Sequence, residues 1–247
     1  MKKTEIIMGM PITIEIIAGG TNAIIDHIFN YFRAVDKRFS TYKPKSEISK
    51  INGGLPESEW SVEMKSVLSL CEETKAITDG YFDIHHNGKL DPSGLVKGWA
   101  VYNAANLLQG KGLKNFYIEA GGDIQVDGTN EDKNLWAVGI RNPFNINEII
   151  KVVNLENQGM ATSGTYVRGQ HIYNPHAIGR DITVVKSLTV IAANVYEADR
   201  FATAAFAMGK EGIGFIEKTS GLEGYMVDNE KIATLTSGFE RYVIKNA

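Results

Sequence analysis

The sequence predicts an α+β fold with mixed or antiparallel sheets and packed helices. Six segments rich in β-branched and aromatic residues indicate strands, and most of them follow one another without an intervening helix. The segments with helical periodicity lie mainly before Gly110. This order is unlike the regular strand–helix alternation of a parallel βαβ array. No repeat or linker divides the chain, so we predict a single domain over residues 1–247.

The N-terminal part predicts a strand followed by a long core-facing helix. Thr13 to Ile17 alternate roughly between polar and apolar residues, which indicates a strand within the first 20 residues. Thr21 and Asn22 then form a helix cap. Behind this cap, apolar residues recur at helical spacing: Ile24, Ile25, Ile28, Phe29, Phe32, Val35 and Phe39.

Two further helices and a series of strands are predicted beyond this region. One helix runs from about Val62 to Ile77, and another from Gly94 to Leu108, with glycines beyond their ends. The predicted strands cover residues 115–120, 135–140, 148–156, 187–194, 224–228 and 231–236. Asp228 and Asn229 predict a turn between the last two strands.

Composition limits the classes of function. With 43% hydrophobic residues the chain can bury a sizeable core, while a formal charge of −3 without a basic run argues against nucleic-acid binding. Cys71 is the only cysteine, which rules out an internal disulfide. No apolar run approaches the roughly 20 residues of a transmembrane helix. We expect a cytoplasmic protein without a transmembrane segment, unless an export segment has been removed.

Asp199 and Thr203 lie on one face of an otherwise apolar helix within residues 197–209. In one interpretation, Asp199 occupies the first turn, favoured by the helix dipole, and the Thr203 hydroxyl bonds to a carbonyl one turn earlier. In the other, both side chains supply oxygen ligands to a divalent cation such as Mg²⁺. The segment by itself leaves both interpretations open.

Two glycine-containing motifs are candidates for ligand contact. "DPSGLVKGWA" enters a helix through Gly94, with Lys97 expected in the first turn, and can expose backbone groups to a ligand or form an ordinary cap. "EAGGDIQV" places Gly121 and Gly122 inside an apparent strand, which indicates a bulge or a close backbone approach beside Asp123. A bulge with a solvated Asp123 is the alternative.

A polar segment, "GMATSGTYVRGQHIYNP", spans residues 159–175 and combines small hydroxyl residues with Tyr166, Arg168 and His171. This mixture suits phosphate binding and proton transfer, although a polar hairpin explains it equally well. The adjacent His85 and His86 favour a loop or surface position over metal binding. Together, the motifs contain the parts of a Mg²⁺-dependent phosphoryl-transfer centre.

The order and wording of these motifs resemble the ApbE family, the FAD:protein FMN transferases, over nearly the whole chain. The resemblance also includes "VDKRFSTYKPKSEISKIN", "TDGYFDI", "EADRFATAAFAMG" and "SGFERY". It implies two lobes around an FAD cleft. It further implies that Mg²⁺ assists in splitting FAD, and that FMN is attached by a phosphoester bond to a Thr or Ser of an acceptor flavoprotein while AMP leaves.

The resemblance also implies roles for individual residues. Asp199, Thr203 and the Gly94 carbonyl match metal ligands, and His171 matches the proposed base. The positions implied to surround FAD are Met10, Tyr42, Asn52, Lys97, Asp123, Thr162, Ser163 and Gly164. The family commonly has His-x-x-Asp where this chain has His171 and Asn174, so the acidic neighbour of the histidine is absent here.

Two alternative functions stay open beside the transferase. A Mg²⁺-dependent FAD pyrophosphatase would use water in place of the acceptor hydroxyl in a similar site. A non-catalytic FAD-binding protein would use the pocket without turnover. Many members of the family are exported lipoproteins, whereas this sequence shows neither an export signal nor a cysteine near its start.

Overall fold

The computed structural model describes residues 1–165, 172–177 and 179–244. The strands are β1 (Lys2–Ile7), β2 (Met10–Ile16), β3 (His85–His86), β4 (Lys89–Leu90), β5 (Phe116–Ala120), β6 (Asp123–Asp127), β7 (Trp136–Asn142), β8 (Asn145–Leu155), β9 (Gly159–Gly164), β10 (Val185–Ala192), β11 (Glu223–Asp228) and β12 (Ala233–Leu235). The α-helices are α1 (Asn22–Phe39), α2 (Glu47–Asn52), α3 (Val62–Ile77), α4 (Ser93–Gln109), α5 (Val195–Ala207) and α6 (Gly212–Lys218). Short 3-10 turns cover Glu57–Glu59, Gly209–Glu211 and Phe239–Tyr242.

An eight-stranded antiparallel sheet runs through the described part of the chain, in the order β1-β2-β5-β6-β9-β10-β11-β12. The pairs β3-β4 and β7-β8 form two separate antiparallel hairpins. Mixed helices and antiparallel sheets confirm the predicted α+β class. The division into two lobes and the single-domain extent over residues 1–247 stay predictions.

The four predicted helices are confirmed as α1, α3, α4 and α5. The Thr21 hydroxyl accepts a hydrogen bond from the Ile24 N–H at 3.3 Å, as expected of a cap. All the predicted apolar positions of α1 are buried except Ile24, which is half-buried. The sequence prediction missed α2, because a six-residue helix is too short to show periodicity.

The first 16 residues form a hairpin, whereas a single strand was predicted. Met8 has a φ of 57° and Gly9 a φ of 73°, so the chain reverses between β1 and β2. Two successive residues with positive φ are typical of a type I′ hairpin turn, in which asparagine and glycine are the usual residues. Met8 is an unusual residue for this conformation, which explains why the turn was missed.

Helices α4 and α5 pack closely against each other, and α5 packs on β9. A Cβ atom on Gly98 would lie 2.5 Å from the Asp199 Cβ and 2.8 Å from the Val195 carbonyl oxygen. The start of α5 is equally close to the sheet, because a Cβ atom on Gly159 would lie 1.9 Å from the Val195 nitrogen. The Val195 N–H donates to the Gln125 side-chain oxygen at 2.8 Å. These contacts fix α5 relative to both α4 and the sheet.

Among the described residues, no helix is both long enough and apolar enough to cross a bilayer.

Replacing Gly98 with alanine should push α4 and α5 apart. We expect Gly98→Ala to lower the free energy of unfolding by about 1–3 kcal/mol, the usual cost of overpacking. Gly214→Ala is the matched control, since a Cβ atom there meets no neighbour within 4 Å. Its stability should be unchanged or raised by about 0.5–1 kcal/mol, because alanine favours the helical backbone. Denaturant unfolding measures both variants, and equal stabilities would contradict the close-packing argument.

Candidate active site

A cavity of about 880 Å³ opens beside α4, α5, β9 and the β7-β8 hairpin. It brings together most of the sequence-predicted site residues: Met10, Gly94, Lys97, Thr162, Ser163, Gly164, Asp199 and Thr203. Asp123 adjoins this group through its ion pair with Lys97. Tyr42 and Asn52 are not among the residues that line the cavity.

Asp199 lies in the second turn of α5, because the helix begins at Val195 behind an Asn194 cap. The first-turn interpretation was therefore wrong, and the helix dipole is not what holds the carboxylate. Asp199 is only 3% exposed, and its Oδ2 accepts a hydrogen bond from the Gly98 N–H at 2.8 Å. Its Oδ1 lies 3.5 Å from the Lys97 Nζ. A backbone donor and a cation on α4 thus offset the cost of burying this charge.

Thr203 directs its hydroxyl towards α4 and β9. The hydroxyl donates to the Gly94 carbonyl at 3.3 Å, and the Ser163 Oγ lies 3.5 Å from it. The earlier alternative, in which Thr203 bonds to a carbonyl of its own helix, is not what the structure shows. Asp199 and Thr203 share one face of α5, so a carboxylate, two hydroxyls and a carbonyl meet at the junction of three elements.

The segment before α4 is held by Asn52. The Asn52 side chain accepts a hydrogen bond from the Leu90 N–H at 2.8 Å and donates to the Leu90 carbonyl at 2.9 Å. The Asp91 side chain then accepts from the Ser93 N–H at 3.0 Å. Asn52 therefore supports the approach to Gly94 from outside the cavity. Lys97 is one turn inside α4, which corrects the prediction that it lies in the first turn.

Asp123 is fully buried at the start of β6. Gly121 (φ 58°) and Gly122 (φ 98°) form the turn between β5 and β6, so the predictions of a strand bulge and of a solvated Asp123 were wrong. The predicted close approach is confirmed at Gly121, where a Cβ atom would lie 2.7 Å from the Met10 Sδ. The carboxylate forms an ion pair with the Lys97 ammonium. Burial, followed by repulsion from Asp199, raises the pKa of Asp123 above its ordinary value, although Lys97 opposes the shift.

The strand β9 supplies the small hydroxyl residues of the site. The Thr162 and Thr189 hydroxyls are hydrogen-bonded at 2.8 Å across the β9-β10 pair. Ser163 points the other way, is 6% exposed and approaches Thr203. Beyond β9, Tyr166, Arg168 and His171 lie outside the described residues. Asn174 is described, and its side-chain oxygen accepts a hydrogen bond from the His176 N–H at 2.8 Å.

Several residues that line the cavity were not predicted from the sequence. Tyr117 and Glu119 alternate with buried residues along β5, and the Tyr117 hydroxyl donates to the Glu119 carboxylate at 3.0 Å. Burial is the largest cause of the raised pKa of Tyr117, followed by the charge of Glu119. The alternation of β5 was the available signal, since it places both side chains on the strand face opposite to the buried Phe116, Ile118 and Ala120.

The β7-β8 hairpin forms an apolar wall of the cavity. One face of the hairpin packs into the core through Val138, Ile140, Val153 and Leu155. The opposite face contributes Ala137, Gly139, Ile146, Ile149 and Val152 to the cavity. His86 also lines the cavity, and its ring lies 4.1 Å from that of Tyr173. The predicted surface position of His85 and His86 is confirmed, because both are exposed in β3.

The donor atoms around Thr203 fit a small divalent cation. Asp199 provides a carboxylate oxygen, Thr203 a hydroxyl and Gly94 a backbone carbonyl, all of which are hard oxygen ligands of the kind Mg²⁺ prefers. The described residues contain no cluster of three or more His, Cys, Asp or Glu that could hold a metal ion. The fit therefore depends on a mixed oxygen set from two helices, and not on a cluster of charged side chains.

Comparison with known proteins places the chain in a family. The model of the ApbE family matches residues 8–88 and 85–226. The chain belongs to the ApbE family. Solved ApbE structures have the same fold: the flavin transferase ApbE of Vibrio cholerae superposes with a TM-score of 0.85 at 23% identity, covering 98% of both chains. The ApbE protein of Thermotoga maritima gives a TM-score of 0.87 at 23% identity, covering 99% of both.

Curated ApbE relatives match over a shorter range. An FAD:protein FMN transferase of Vibrio cholerae is 34% identical over 132 residues, which are 49% of this chain and 39% of the relative. An enzyme of the same name from Escherichia coli K12 is 30% identical over 151 residues, which are 57% of this chain and 43% of the relative. The matched part thus spans about two fifths of the length of these relatives.

The raised pKa of Asp123 predicts a pH-dependent effect of Asp123→Asn in this ApbE protein. A carboxyl with a raised folded-state pKa binds its proton more readily when folded, so its contribution to stability is present at low pH. It is lost as the pH rises from about 4, the unfolded value, towards the raised value. The stability of the variant relative to wild type should therefore increase from about pH 4 to pH 8. Denaturant unfolding across this range measures the difference, and a constant difference would contradict the shift.

Proposed function

We propose that this protein cleaves FAD and transfers its FMN part to a Thr or Ser hydroxyl of an acceptor flavoprotein, with AMP as the leaving group. The observation that carries the proposal is the convergence of the Asp199 carboxylate, the Thr203 hydroxyl and the Gly94 carbonyl at one large cavity. Membership of the ApbE family and the name FAD:protein FMN transferase of its relatives support the choice of substrate.

We propose Mg²⁺ as the cation held by Asp199, Thr203 and the Gly94 carbonyl. When bound, the cation supplies Lewis-acid chemistry, drawing negative charge from the diphosphate of FAD as the bond to AMP breaks. The chain's own contribution is to present the three oxygens in advance. The hydrogen bond from the Gly98 N–H fixes the Asp199 carboxylate. Thr203 lies one turn further along the same helix, α5, so its position is fixed relative to Asp199.

Ser163, Met10 and the β7-β8 hairpin bind and orient the substrate in this proposal. The Ser163 hydroxyl, 3.5 Å from the Thr203 hydroxyl, can donate a hydrogen bond to a diphosphate oxygen held beside Thr203. The apolar face of the β7-β8 hairpin and the Met10 side chain offer contact surface to the ring systems of FAD.

The acceptor hydroxyl must lose its proton during the attack on phosphorus. We propose His171 as the base, on the basis of its motif alone, since it lies outside the described residues. An unperturbed histidine has a pKa of about 6.5, which suits proton transfer at neutral pH. The Asn174 side-chain oxygen already accepts from the His176 N–H in a local turn. Asn174 stands where the family commonly has an aspartate, so the acidic neighbour of His171 is absent from this sequence.

The metal assignment predicts distinct effects for two substitutions in α5. Asp199→Asn should abolish Mg²⁺-dependent AMP release at ordinary Mg²⁺ concentrations, because it removes the charged ligand. Thr203→Val should raise the Mg²⁺ concentration needed, because it removes a neutral ligand. Both variants should fold, since an amide oxygen can still accept from the Gly98 N–H and valine is close in size to threonine.

The measurement is AMP release from FAD across a Mg²⁺ titration, with and without a candidate acceptor flavoprotein. Superimposed curves for wild type and both variants would contradict the metal site. AMP and free FMN produced by wild type without an acceptor would indicate a pyrophosphatase. FAD that stays intact with every acceptor tested would indicate a binding protein. Mass spectrometry of the acceptor, showing an added FMN, would establish the transferase.

The base assignment predicts a separate kinetic effect. His171→Ala should slow FMN transfer by roughly 10²–10⁴-fold, the usual loss when a general base is removed. FAD affinity should stay close to wild type, because the base acts on the acceptor hydroxyl. Transfer rates and FAD binding are measured on the same samples at neutral pH. An unchanged transfer rate would exclude His171 as the base.

A further inference from the structure

Lys97 stands between two buried carboxylates. Its ammonium forms an ion pair with the Asp123 Oδ2 and lies 3.5 Å from the Asp199 Oδ1. Asp123 is fully buried and Asp199 is 3% exposed, so both carboxyl groups are largely removed from water. The three side chains come from β6, α4 and α5, three elements of the sequence that meet only in the folded protein.

The two oxygens of Asp199 have different surroundings. Oδ2 accepts the hydrogen bond from the Gly98 N–H at 2.8 Å, which leaves Oδ1 as the oxygen that is available for a cation. Oδ1 is also the oxygen that Lys97 approaches. An ammonium that moved closer to Oδ1 would compete with a divalent cation, by occupying the oxygen and by repelling a second positive charge.

We propose that Asp123 is a positioning residue that holds the Lys97 ammonium away from the Asp199 Oδ1 and so sets the metal affinity of the site. The inference rests on the proposed function, because it assumes a divalent cation at Asp199. In the structure Lys97 makes its closer ion pair with Asp123, and not with Asp199. Asp123 therefore affects the metal through Lys97, without being a ligand itself.

The position of Asp123 makes this role possible. The residue follows the Gly121-Gly122 turn directly, and its Cα pairs with that of Ala120 across the β5-β6 hairpin. The carboxylate is thus attached to the rigid sheet, while Lys97 has a long and flexible side chain. Buried ion pairs contribute little net stability compared with apolar residues, so a stabilising role alone is a weak explanation for this pair.

The test is a double-mutant cycle read out as Mn²⁺ affinity by electron paramagnetic resonance, without FAD or acceptor. Asp123→Asn should weaken Mn²⁺ binding by roughly 10- to 100-fold, the range for loss of a partner outside the ligand set. Lys97→Met should bind Mn²⁺ at least as tightly as wild type, because the competing ammonium is gone. Combining Lys97→Met with Asp123→Asn should restore the affinity lost in Asp123→Asn.

Glu119→Gln is the matched control, because it removes another carboxylate that lines the cavity but has its hydrogen bond to Tyr117. Its Mn²⁺ affinity should stay close to wild type, and thermal unfolding checks that every variant is folded. A double variant as weak as Asp123→Asn would overturn the inference, and so would loss of Mn²⁺ binding in folded Lys97→Met or an equal loss in Glu119→Gln.

The same measurements separate the inference from the proposed function. Mn²⁺ binding by wild type that Asp199→Asn abolishes would support the metal site whatever the cycle shows. A failed cycle would then overturn only the role of Asp123. If neither wild type nor Lys97→Met binds Mn²⁺, the metal assignment and the inference both fall.

Discussion

The contact between α4 and α5 is the constraint on which the candidate site depends. At Gly98 the two helices approach so closely that no side chain fits, and the Gly98 N–H reaches the Asp199 carboxylate at 2.8 Å. One turn further along α5, Thr203 meets the Gly94 carbonyl of α4. Because residues four apart share a helix face, the same packing delivers both contacts. A change in helix spacing would therefore disturb every proposed metal ligand together.

The site combines this tight packing with an unfavourable arrangement of charge. Asp123 and Asp199 are buried near one another. Among the described residues, the Lys97 ammonium lies close to both carboxyl groups. Burial raises the pKa of Asp123, the direction expected when an ionised carboxylate is moved out of water. Such an arrangement is common at functional sites, where charge is placed for a ligand and not for stability. The close contacts at Gly98 and Gly159 supply the packing that keeps it in place.

The sequence predicted the parts of the fold that local signals determine. Capping by Thr21 and the apolar spacing of α1 were sufficient for that helix, and the Asp228-Asn229 turn was recognised because its residues are typical of turns. The turn at Met8 and Gly9 was missed because methionine seldom adopts positive φ. The solvated alternative for Asp123 failed for another reason: its burial depends on Lys97 and Asp199, which are distant in sequence.

The candidate site was predicted from its motifs, but the motifs did not say what each residue contacts. Asn52 and Lys97 both came from the resemblance as FAD-pocket residues, yet Asn52 bonds only to the backbone of Leu90 among its described hydrogen bonds, while Lys97 lies within the cavity. A motif preserves residue types for support as well as for contact, and spacing along the chain does not separate the two. The distances between elements in the structure distinguish supporting residues from residues that line the cavity. The proposed cation ligands, Asp199, Thr203 and Gly94, lie on two packed helices, so their relative positions depend on one contact between α4 and α5 that no single motif contains.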